Sequence, residues 1–395
     1  MNFYEWTDTG NYKPDQKVRW HACDPDFYKY LIGIIQTARL SVHLQYYIID
    51  PDSTGLPILE ACKAAAKRGV KVKILADGFG SDKLTTEHVN ELESAGVDFR
   101  FFKPFIYSDE FYVGRRLHHK IVVIDEAIAI VGGMNIADRY PGNESTPPWI
   151  DYAVTVEGDV SKDLAEYCNN FFHKSNKKLN RSLKNMFRSQ GELRSNTSWA
   201  RMRVNDSLRG KREISSSYNR ATRRAKSSIT IIGGYFLPGR RYRRNLVYAS
   251  RKGVQIKVIL TKNSDVKMVK YASDYLNGFL IRNKIQIYEA NETMVHGKVM
   301  IVDELYSTVG SYNQNNLSAL LSIETNIDII DQKFSSDFKA HLDQLIEEQC
   351  TRVTAENYYK KSTILTQLLR WFSYKILRVS LRILLLLNRV FSIKE

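Results

Sequence analysis

Two segments of the chain carry histidine, lysine and asparagine at the same spacing. The first reads "LHHKIVVIDEAIAIVGGMN" and ends at Asn135, and the second reads "VHGKVMIVDELYSTVGSYN" and ends at Asn313. Both fit His-x-Lys, four residues, Asp, six residues, Gly-Gly/Ser-x-Asn without a gap. The aligned histidines are His118 and His296, which makes them the first candidates for chemistry.

Strand geometry gives the same choice of histidine. The residues after each histidine form apolar, β-branched runs, which predict buried strands. Because residues two apart on a strand share a face, His118 and Lys120 should point to one side and His119 to the other. Gly297 takes the place of His119 in the second copy. We therefore interpret His119 as a spacer.

These residue types suit chemistry on a phosphodiester. Lysine and asparagine donors neutralise phosphate oxygens, one histidine can attack phosphorus to give a phosphohistidine, and the other can protonate the leaving oxygen. Such a mechanism requires no metal ion, and we predict no cofactor. The two aspartates of the motif fall at predicted hairpin turns, where we expect a structural contribution. The predicted catalytic set is His118, Lys120, Asp125, His296, Lys298 and Asp303, with Asn135 and Asn313 as phosphate-binding residues.

A nucleophilic histidine needs a partner on its other ring nitrogen to fix its tautomer. Asp151 lies 33 residues after His118, and Glu324 lies 28 residues after His296. Each acidic residue begins an apolar run that predicts a strand. We expect each carboxylate to orient the histidine of its own half.

The repeat extends beyond the motif and predicts the domain organisation. "KRGVKVKILADG" has a counterpart in "RKGVQIKVILTK", and each reads as a helix end, a capping glycine and a strand. The sequence therefore predicts an α/β fold of two pseudo-symmetric domains, 1–178 and 199–352, joined by a basic linker, 179–198. Each domain should be a mixed β-sheet flanked by helices. A further helix is predicted over 361–393.

The charge distribution favours an anionic partner. Of the formal net charge of +15, the segment 174–212 carries twelve Lys or Arg against two acids, and 361–395 carries seven against one. The remaining chain is close to neutral. An anionic phospholipid membrane suits such segments, whereas nucleic acid is disfavoured because its grooves need a basic stripe interleaved with aromatics. The oligomeric state stays open.

The C-terminal segment predicts an amphipathic helix at a membrane interface. At 100° per residue one stripe is apolar and a second arc is basic, with few acids to pair with it. A terminal helix that packs on the body of the protein is the alternative. The stripe is Leu365, Leu368, Phe372, Ile376, Val379, Ile383, Leu386 and Val390, and the arc is Lys375, Arg378, Arg382 and Arg389.

The doubled motif resembles that of the phospholipase D superfamily. More narrowly, "LQYYIIDPDSTGLPILEACKAAAKRGVKVKILADGFGS" and "YFLPGRRYRRNLVYASRKGVQIKVIL" resemble the bacterial cardiolipin synthase branch, and the likeness covers about residues 21–350. The resemblance implies an active site at the interface of two phospholipase D-like domains. It further implies cardiolipin synthesis from phosphatidylglycerol and a second phospholipid. His118 would be the nucleophile and His296 the general acid, in a protein attached peripherally to the cytoplasmic face of the bacterial inner membrane.

Three alternative functions stay open at this point: a hydrolytic phospholipase D, a nuclease that cleaves phosphodiesters, and a non-catalytic membrane scaffold. Both motifs are intact, which disfavours the scaffold. Water must be excluded if an alcohol is to be the acceptor. Four aromatic residues near the predicted mouth are candidates for that lining, with core packing as the alternative: Tyr46, Tyr47, Tyr235 and Phe236.

Overall fold

The computed structural model describes residues 6, 10–102, 106–107, 110–111, 115–173, 198–206, 209–234, 236–262, 267–315, 322–360 and 363–391. The predicted linker, 179–198, lies outside the described residues except for its last position. The two copies of the motif lie in the described ranges.

The first half contains the following elements. Its strands are β1 (Lys13–Ala22), β2 (Ser41–Tyr46), β3 (Lys71–Asp77), β4 (Asp98–Phe102), β5 (Ile106–Tyr107), β6 (Glu110–Phe111), β7 (Arg116–Leu117), β8 (Lys120–Ile124), β9 (Ile128–Gly132) and β10 (Tyr152–Glu157). Its helices are α1 (Pro25–Thr37), α2 (Gly55–Lys67), α3 (Thr86–Ser94) and α4 (Asp159–Phe172).

The second half repeats this arrangement and adds elements at its end. Its strands are β11 (Ser198–Asp206), β12 (Lys211–Arg212), β13 (Ser228–Gly233), β14 (Gln255–Thr261), β15 (Gln286–Ala290), β16 (Lys298–Val302), β17 (Tyr306–Gly310), β18 (Ser322–Ile330) and β19 (Cys350–Val353). Its helices are α5 (Glu213–Arg224), α6 (Arg240–Arg251), α7 (Lys267–Arg282), α8 (Gln332–Gln349), α9 (Ala355–Lys360) and α10 (Ile364–Phe391).

The two halves have the same strand order. In the first it is β4-β3-β2-β8-β9-β10-β1, with β2, β3 and β4 parallel and the other pairs antiparallel. In the second it is β15-β14-β13-β16-β17-β18-β11 with the same directions, and β19 is added beside β15. The predicted pseudo-symmetric α/β fold is confirmed.

Local sequence explains the shared parallel units. Gly69 follows α2 with φ +90°, and Gly253 follows α6 with φ +89°. A glycine adopts this left-handed conformation without the strain that a Cβ would add, so it ends the helix and releases the chain into the next strand. The two helix ends that the sequence repeat predicted are therefore built in the same way.

The halves share a core. Strand β1 pairs with β11 at Lys13 and Ala200, and β7 pairs in parallel with the start of β18. One cluster of buried side chains draws on both halves, including Val131 and Val154 from the first and Val299 and Ile327 from the second. The ends of β7 and β18 that carry the candidate residues therefore meet at the interface.

The last helix, α10, packs along α7. Tyr374 stacks on Tyr275 with 4.8 Å between ring centroids, and Leu377 packs with them. Among the described residues, no helix combines the length and the apolar character needed to span a bilayer.

Candidate active site

His118 lies between β7 and β8, beside the start of β18. Its backbone N–H donates to the carbonyl of Ile323 at 3.0 Å. The next residue of β18 is Glu324, whose Oε2 lies 2.9 Å from His118 Nδ1. The carboxylate that holds the first histidine therefore comes from the second half.

His296 has the reciprocal arrangement. The backbone N–H groups of His296 and Gly297 both donate to the carbonyl of Ile150 at 2.8 Å. This contact places Asp151 beside the imidazole, with its Oδ2 2.6 Å from His296 Nδ1. The first half thus supplies the partner of the second histidine.

The prediction that each carboxylate lies beside the histidine of its own half is wrong. Asp151 contacts His296 and Glu324 contacts His118. The physical reason is strand pairing across the interface, because the residues before each histidine hydrogen-bond to the strand start of the opposite half. Each histidine site is therefore complete only when both halves are docked.

Hydrogen bonding assigns the tautomer of His118. Its Nδ1 contacts Glu324 Oε2 and, at 3.2 Å, the carbonyl of Ser311, and both of these are acceptors. Nδ1 must therefore carry the proton, and the neutral ring keeps its lone pair on Nε2. An imidazole in this form is ready to act as a nucleophile through Nε2.

The carboxylates are supported differently in the two sites. The Ser311 hydroxyl donates to Glu324 Oε2 at 2.5 Å. At the aligned position, Gly133, an added Cβ would lie 2.2 Å from Asp151 Oδ1, so a side chain there would displace the carboxylate. The longer glutamate is braced by a hydroxyl, whereas the shorter aspartate needs the space that a glycine leaves.

Two buried lysines place positive charge in the site. The ammonium groups of Lys120 and Lys298 contact the backbone carbonyls of His118 and His296. Burial lowers the pKa of Lys120 to about 7 and that of Lys298 to about 8, against the opposing pull of nearby carboxylates. An anion bound between them would restore their charge, since an opposite charge raises a lysine pKa.

Both imidazoles are neutral in the free site. Burial, with Lys120 and Lys298 nearby, holds the pKa of His118 well below its ordinary value. Burial and Lys298 lower the pKa of His296 to about 4, although Asp151 raises it in part. The pKa of Asp151 is itself lowered, because attraction to Lys298 and His296 outweighs its burial.

The two motif aspartates lie far from this chemistry. Asp125 Oδ1 and Oδ2 accept hydrogen bonds from the backbone N–H groups of 39–41, and Asp303 makes the same contacts with 226–228. Each lies at the far end of its strand, roughly 20 Å from the histidine at about 3.3 Å per residue. The expected structural contribution at the turns agrees with these contacts, and a catalytic contribution from either aspartate stays a prediction.

The two asparagines return to the site but differ in their contacts. The side-chain amide of Asn135 donates to the Tyr140 hydroxyl at 2.5 Å and accepts from the Ile48 backbone at 3.1 Å. Asn313 is buried, and its Oδ1 makes no hydrogen bond within the described residues. Phosphate binding by either residue stays a prediction.

Aromatic rings surround both histidines. Tyr47 lies 5.1 Å from the His118 ring, and the Lys120 ammonium lies 5.2 Å from the Tyr47 ring. Tyr140 and Trp149 lie 5.4 and 5.7 Å from the His296 ring. These rings contribute to the burial that, together with the nearby lysines, lowers the pKa values of both imidazoles.

The four aromatic residues predicted near the mouth of the site do not share one environment. Tyr47 contacts His118, whereas Tyr46 and Phe236 are buried in the cores of the two halves, which agrees with the alternative of core packing. Tyr46 faces the other way because neighbouring residues on a strand alternate in direction. Tyr235 lies outside the described residues.

Sequence reasoning missed Ser311, Tyr140 and Trp149. Ser311 had a signal, because among the named positions of the motif it is the one at which the two copies differ. Tyr140 and Trp149 had none, since a loop carries them to His296 only in the folded chain. In the part of the chain that is described, no three His, Cys, Asp or Glu side chains gather as a metal site would require.

Comparison with known proteins shows the family of this chain. The family model described as "Cardiolipin synthase, PLD-like domain" matches residues 31–144 and 218–346. Cardiolipin synthase B of Escherichia coli K12 is 30% identical over 349 residues, which cover 87% of this chain and 83% of that protein. Its counterpart in Salmonella typhi is 33% identical over 335 residues, covering 83% and 79%.

The fold has a close counterpart among solved structures. The phosphatidylserine synthase of Haemophilus influenzae superposes with a TM-score of 0.71 at 15% identity, covering 96% of this chain and 97% of that one. At this identity the likeness concerns the fold alone. The sequence matches carry the assignment: the chain belongs to the cardiolipin synthase family of phospholipase D-like enzymes.

Proposed function

We propose that this enzyme is a phosphatidyltransferase that forms cardiolipin from phosphatidylglycerol and a second phospholipid through a phosphohistidine. The observation that carries the proposal is the crossed pair of imidazoles, each held at Nδ1 by a carboxylate of the other half. Two such rings facing one phosphodiester suit displacement from one side with protonation on the other.

The first step uses His118 as the nucleophile. Its Nε2 attacks phosphorus, the bond from phosphorus to the alcohol oxygen breaks, and a phosphohistidine forms. His296, protonated once the anionic substrate has bound, transfers its proton to the departing oxygen. Glu324 offsets the positive charge that develops on the His118 ring, because it accepts the Nδ1 proton's hydrogen bond throughout.

The second step reverses these roles. His296 takes the proton from a hydroxyl of the acceptor phospholipid, whose oxygen attacks phosphorus and releases His118. Lys120 and Lys298 stabilise the negative charge on the phosphoryl oxygens in both steps. The rings of Tyr47, Tyr140 and Trp149 disfavour water as the acceptor, which favours transfer over hydrolysis.

A lipid turnover assay tests this chemistry. Purified protein is incubated with phosphatidylglycerol vesicles in EDTA, beside His118→Ala and His296→Ala, and products are separated by chromatography. We expect cardiolipin and glycerol from the wild type only. Phosphatidic acid as the sole lipid product would assign a hydrolase, and no lipid turnover would redirect the search to other phosphodiesters.

Helix α10 supports a membrane partner. Leu365, Leu368, Phe372 and Val379 of the predicted stripe are exposed, and Ile383 is 51% exposed. Lys375 and Arg378 of the basic arc are also exposed, whereas the side chains of Leu386, Val390, Arg382 and Arg389 lie outside the described residues. We propose that this face docks on an anionic phospholipid membrane, at the cytoplasmic face of the bacterial inner membrane.

Vesicle flotation tests the docking. Leu368→Asp removes an apolar group from the exposed stripe, and Gln367→Asp adds the same charge one residue away at another exposed position. With vesicles that contain phosphatidylglycerol, we expect Leu368→Asp to lower the bound fraction several-fold more than Gln367→Asp. Equal binding by the two variants would contradict the assignment of this face.

A further inference from the structure

Helices α2 and α6 occupy equivalent places in the two halves, but their N-termini differ. At α2, the protein's own carboxylates face the backbone N–H groups. Asp138 Oδ1 accepts from Thr54 at 2.7 Å, and Asp52 Oδ1 accepts from Gly55 at 3.0 Å. Negative charge at a helix N-terminus is favourable because the exposed N–H groups and the helix dipole are positive there.

The N-terminus of α6 lacks such a carboxylate. Gly239 occupies the cap position, and no side chain caps the helix. Its first turn carries Arg240 and Arg241, both exposed, and neither forms an ion pair with a carboxylate of the described residues. The end that an acid fills in the first half is therefore left positive in the second half.

A small polar cavity adjoins this end. Its volume is about 40 Å³, and Gln314, the residue after Asn313, lies in its wall. Gln314 is 5% exposed, and within the described chain neither its Oε1 nor its Nε2 makes a hydrogen bond of good geometry. The buried hydroxyl of Tyr218 interacts with the Gln314 amide, which leaves at least one polar atom of that amide without a partner among the described residues. The lining is uncharged: Ser215, Tyr218, Asn219, Pro238, Gly239, Tyr242, Tyr312, Gln314 and Asn315.

We propose that the N-terminus of α6 and the cavity at Gln314 form a second phosphate-binding site, separate from the paired histidines. A buried polar atom without a partner is costly, so a ligand that satisfies the remaining polar atom of the Gln314 amide gains that energy on binding. The cavity has about the space of one water molecule, so it admits phosphate oxygens and leaves the rest of the ligand outside. Arg240 and Arg241 supply the charge that a phosphate requires.

Its position suits the phosphate of a membrane phospholipid. The backbone N–H of Leu237 donates to the carbonyl of Gln314 at 3.1 Å, and the Leu237 side chain packs against a cluster that contains Tyr374 of α10. One short loop therefore touches both the cavity and the helix proposed to lie on the membrane. This assignment of the source rests on the proposed function, whereas phosphate binding itself does not.

Gly239 allows a matched test. Its dihedral angles, φ −63° and ψ 163°, suit Asp or Asn as a cap. Gly239→Asp supplies the carboxylate that α2 already has, and Gly239→Asn caps the helix without charge. In calorimetric titrations with inorganic phosphate, we expect the Asp variant to bind one phosphate fewer per chain than the Asn variant, or at least tenfold more weakly. The histidine site is common to both, so equal binding by the two variants would overturn the proposal.

Two further measurements identify the ligand and control for folding. Thermal melts should show that neither cap lowers the melting temperature, and Gln314→Leu should weaken phosphate binding in the same titration. A KM for phosphatidylglycerol at least fivefold higher in Gly239→Asp than in Gly239→Asn would assign the site to a lipid phosphate, and equal KM values to free phosphate. If the wild type turns over no lipid, the phosphate titration still decides the proposal.

Discussion

The two histidine sites are alike in plan and unlike in construction. His118 is held by Glu324, which a serine hydroxyl braces, and His296 is held by Asp151, which needs a glycine beside it. In each site the carboxylate reaches the same ring nitrogen. The difference shows that the common feature is the position of a negative charge, since both side-chain length and its local support vary.

Removing that charge should have the largest effect on activity. Glu324→Gln and Asp151→Asn keep the shape but lose the charge that stabilises the imidazolium, and we expect each to lower kcat about 10²- to 10⁴-fold. Steady-state lipid turnover measures the loss.

Asp125→Asn and Asp303→Asn are matched controls. They change the same group at the turns, where the carboxylate meets only backbone and local side-chain donors. We expect them to lower the melting temperature and to leave kcat within about twofold. If these variants lower kcat as much as Glu324→Gln does, the assignment of the turn aspartates to structure and of Glu324 to catalysis would be wrong.

Substitutions at Gly133 and Ser311, the residues that support the two carboxylates, should have the next largest effects on activity. These effects should differ between the two histidine sites. Gly133→Ser places a Cβ against Asp151, which must then move away from His296, so we expect at least a hundredfold loss of kcat. Ser311→Gly removes one hydrogen bond to Glu324, a loss of about 1 kcal/mol, which lowers kcat roughly fivefold. Melting curves recorded beside the kinetics distinguish a displaced carboxylate from an unfolded domain.

The pH dependence of kcat/KM tests the two lysines. Their pKa values of about 7 and 8 in the free enzyme mean that each loses its proton as the pH rises through that range. A neutral lysine binds a phosphodiester anion less well, so we expect kcat/KM to fall above about pH 7. Lys120→Arg stays protonated and should move the decline toward pH 8, and an unchanged profile would exclude Lys120 as its cause.

The sequence predicted what depends on neighbours along the chain. The motif spacing, the glycine that ends each repeated helix and the hairpin turns at Asp125 and Asp303 follow from local rules, and they recur in the structure. The crossed carboxylates do not follow, because Asp151 reaches His296 through pairing between halves. Spacing within a half carries no information about that contact.

The stability of the two halves should also differ at acidic pH, and this difference should have the smallest effect on catalysis. Buried imidazoles concentrate in the first half, where burial lowers the pKa of His21 to about 4 and that of His43 to about 3, and holds that of His119 well below its ordinary value. A histidine that cannot be protonated in the folded state favours the unfolded state once the pH falls below 6.5. Its contribution to stability is therefore complete above that pH and declines as the pH falls toward the folded-state pKa.

His43 offers the clearest test of this difference. Its Nε2 faces the side-chain amide of Gln45 at 3.1 Å, and Thr230 occupies the equivalent position in the second half. Through this one residue, the free energy of unfolding should be about 2 kcal/mol lower at pH 5 than at pH 7. The reason is that the unfolded chain binds a proton on the imidazole and the folded chain does not. His43→Gln should narrow the gap between the unfolding free energies at pH 7 and pH 5 by about that amount. Hydrogen exchange at pH 5 should be faster in β2 and β8 than in β13 and β16, and uniform exchange would show that acid does not act through these imidazoles.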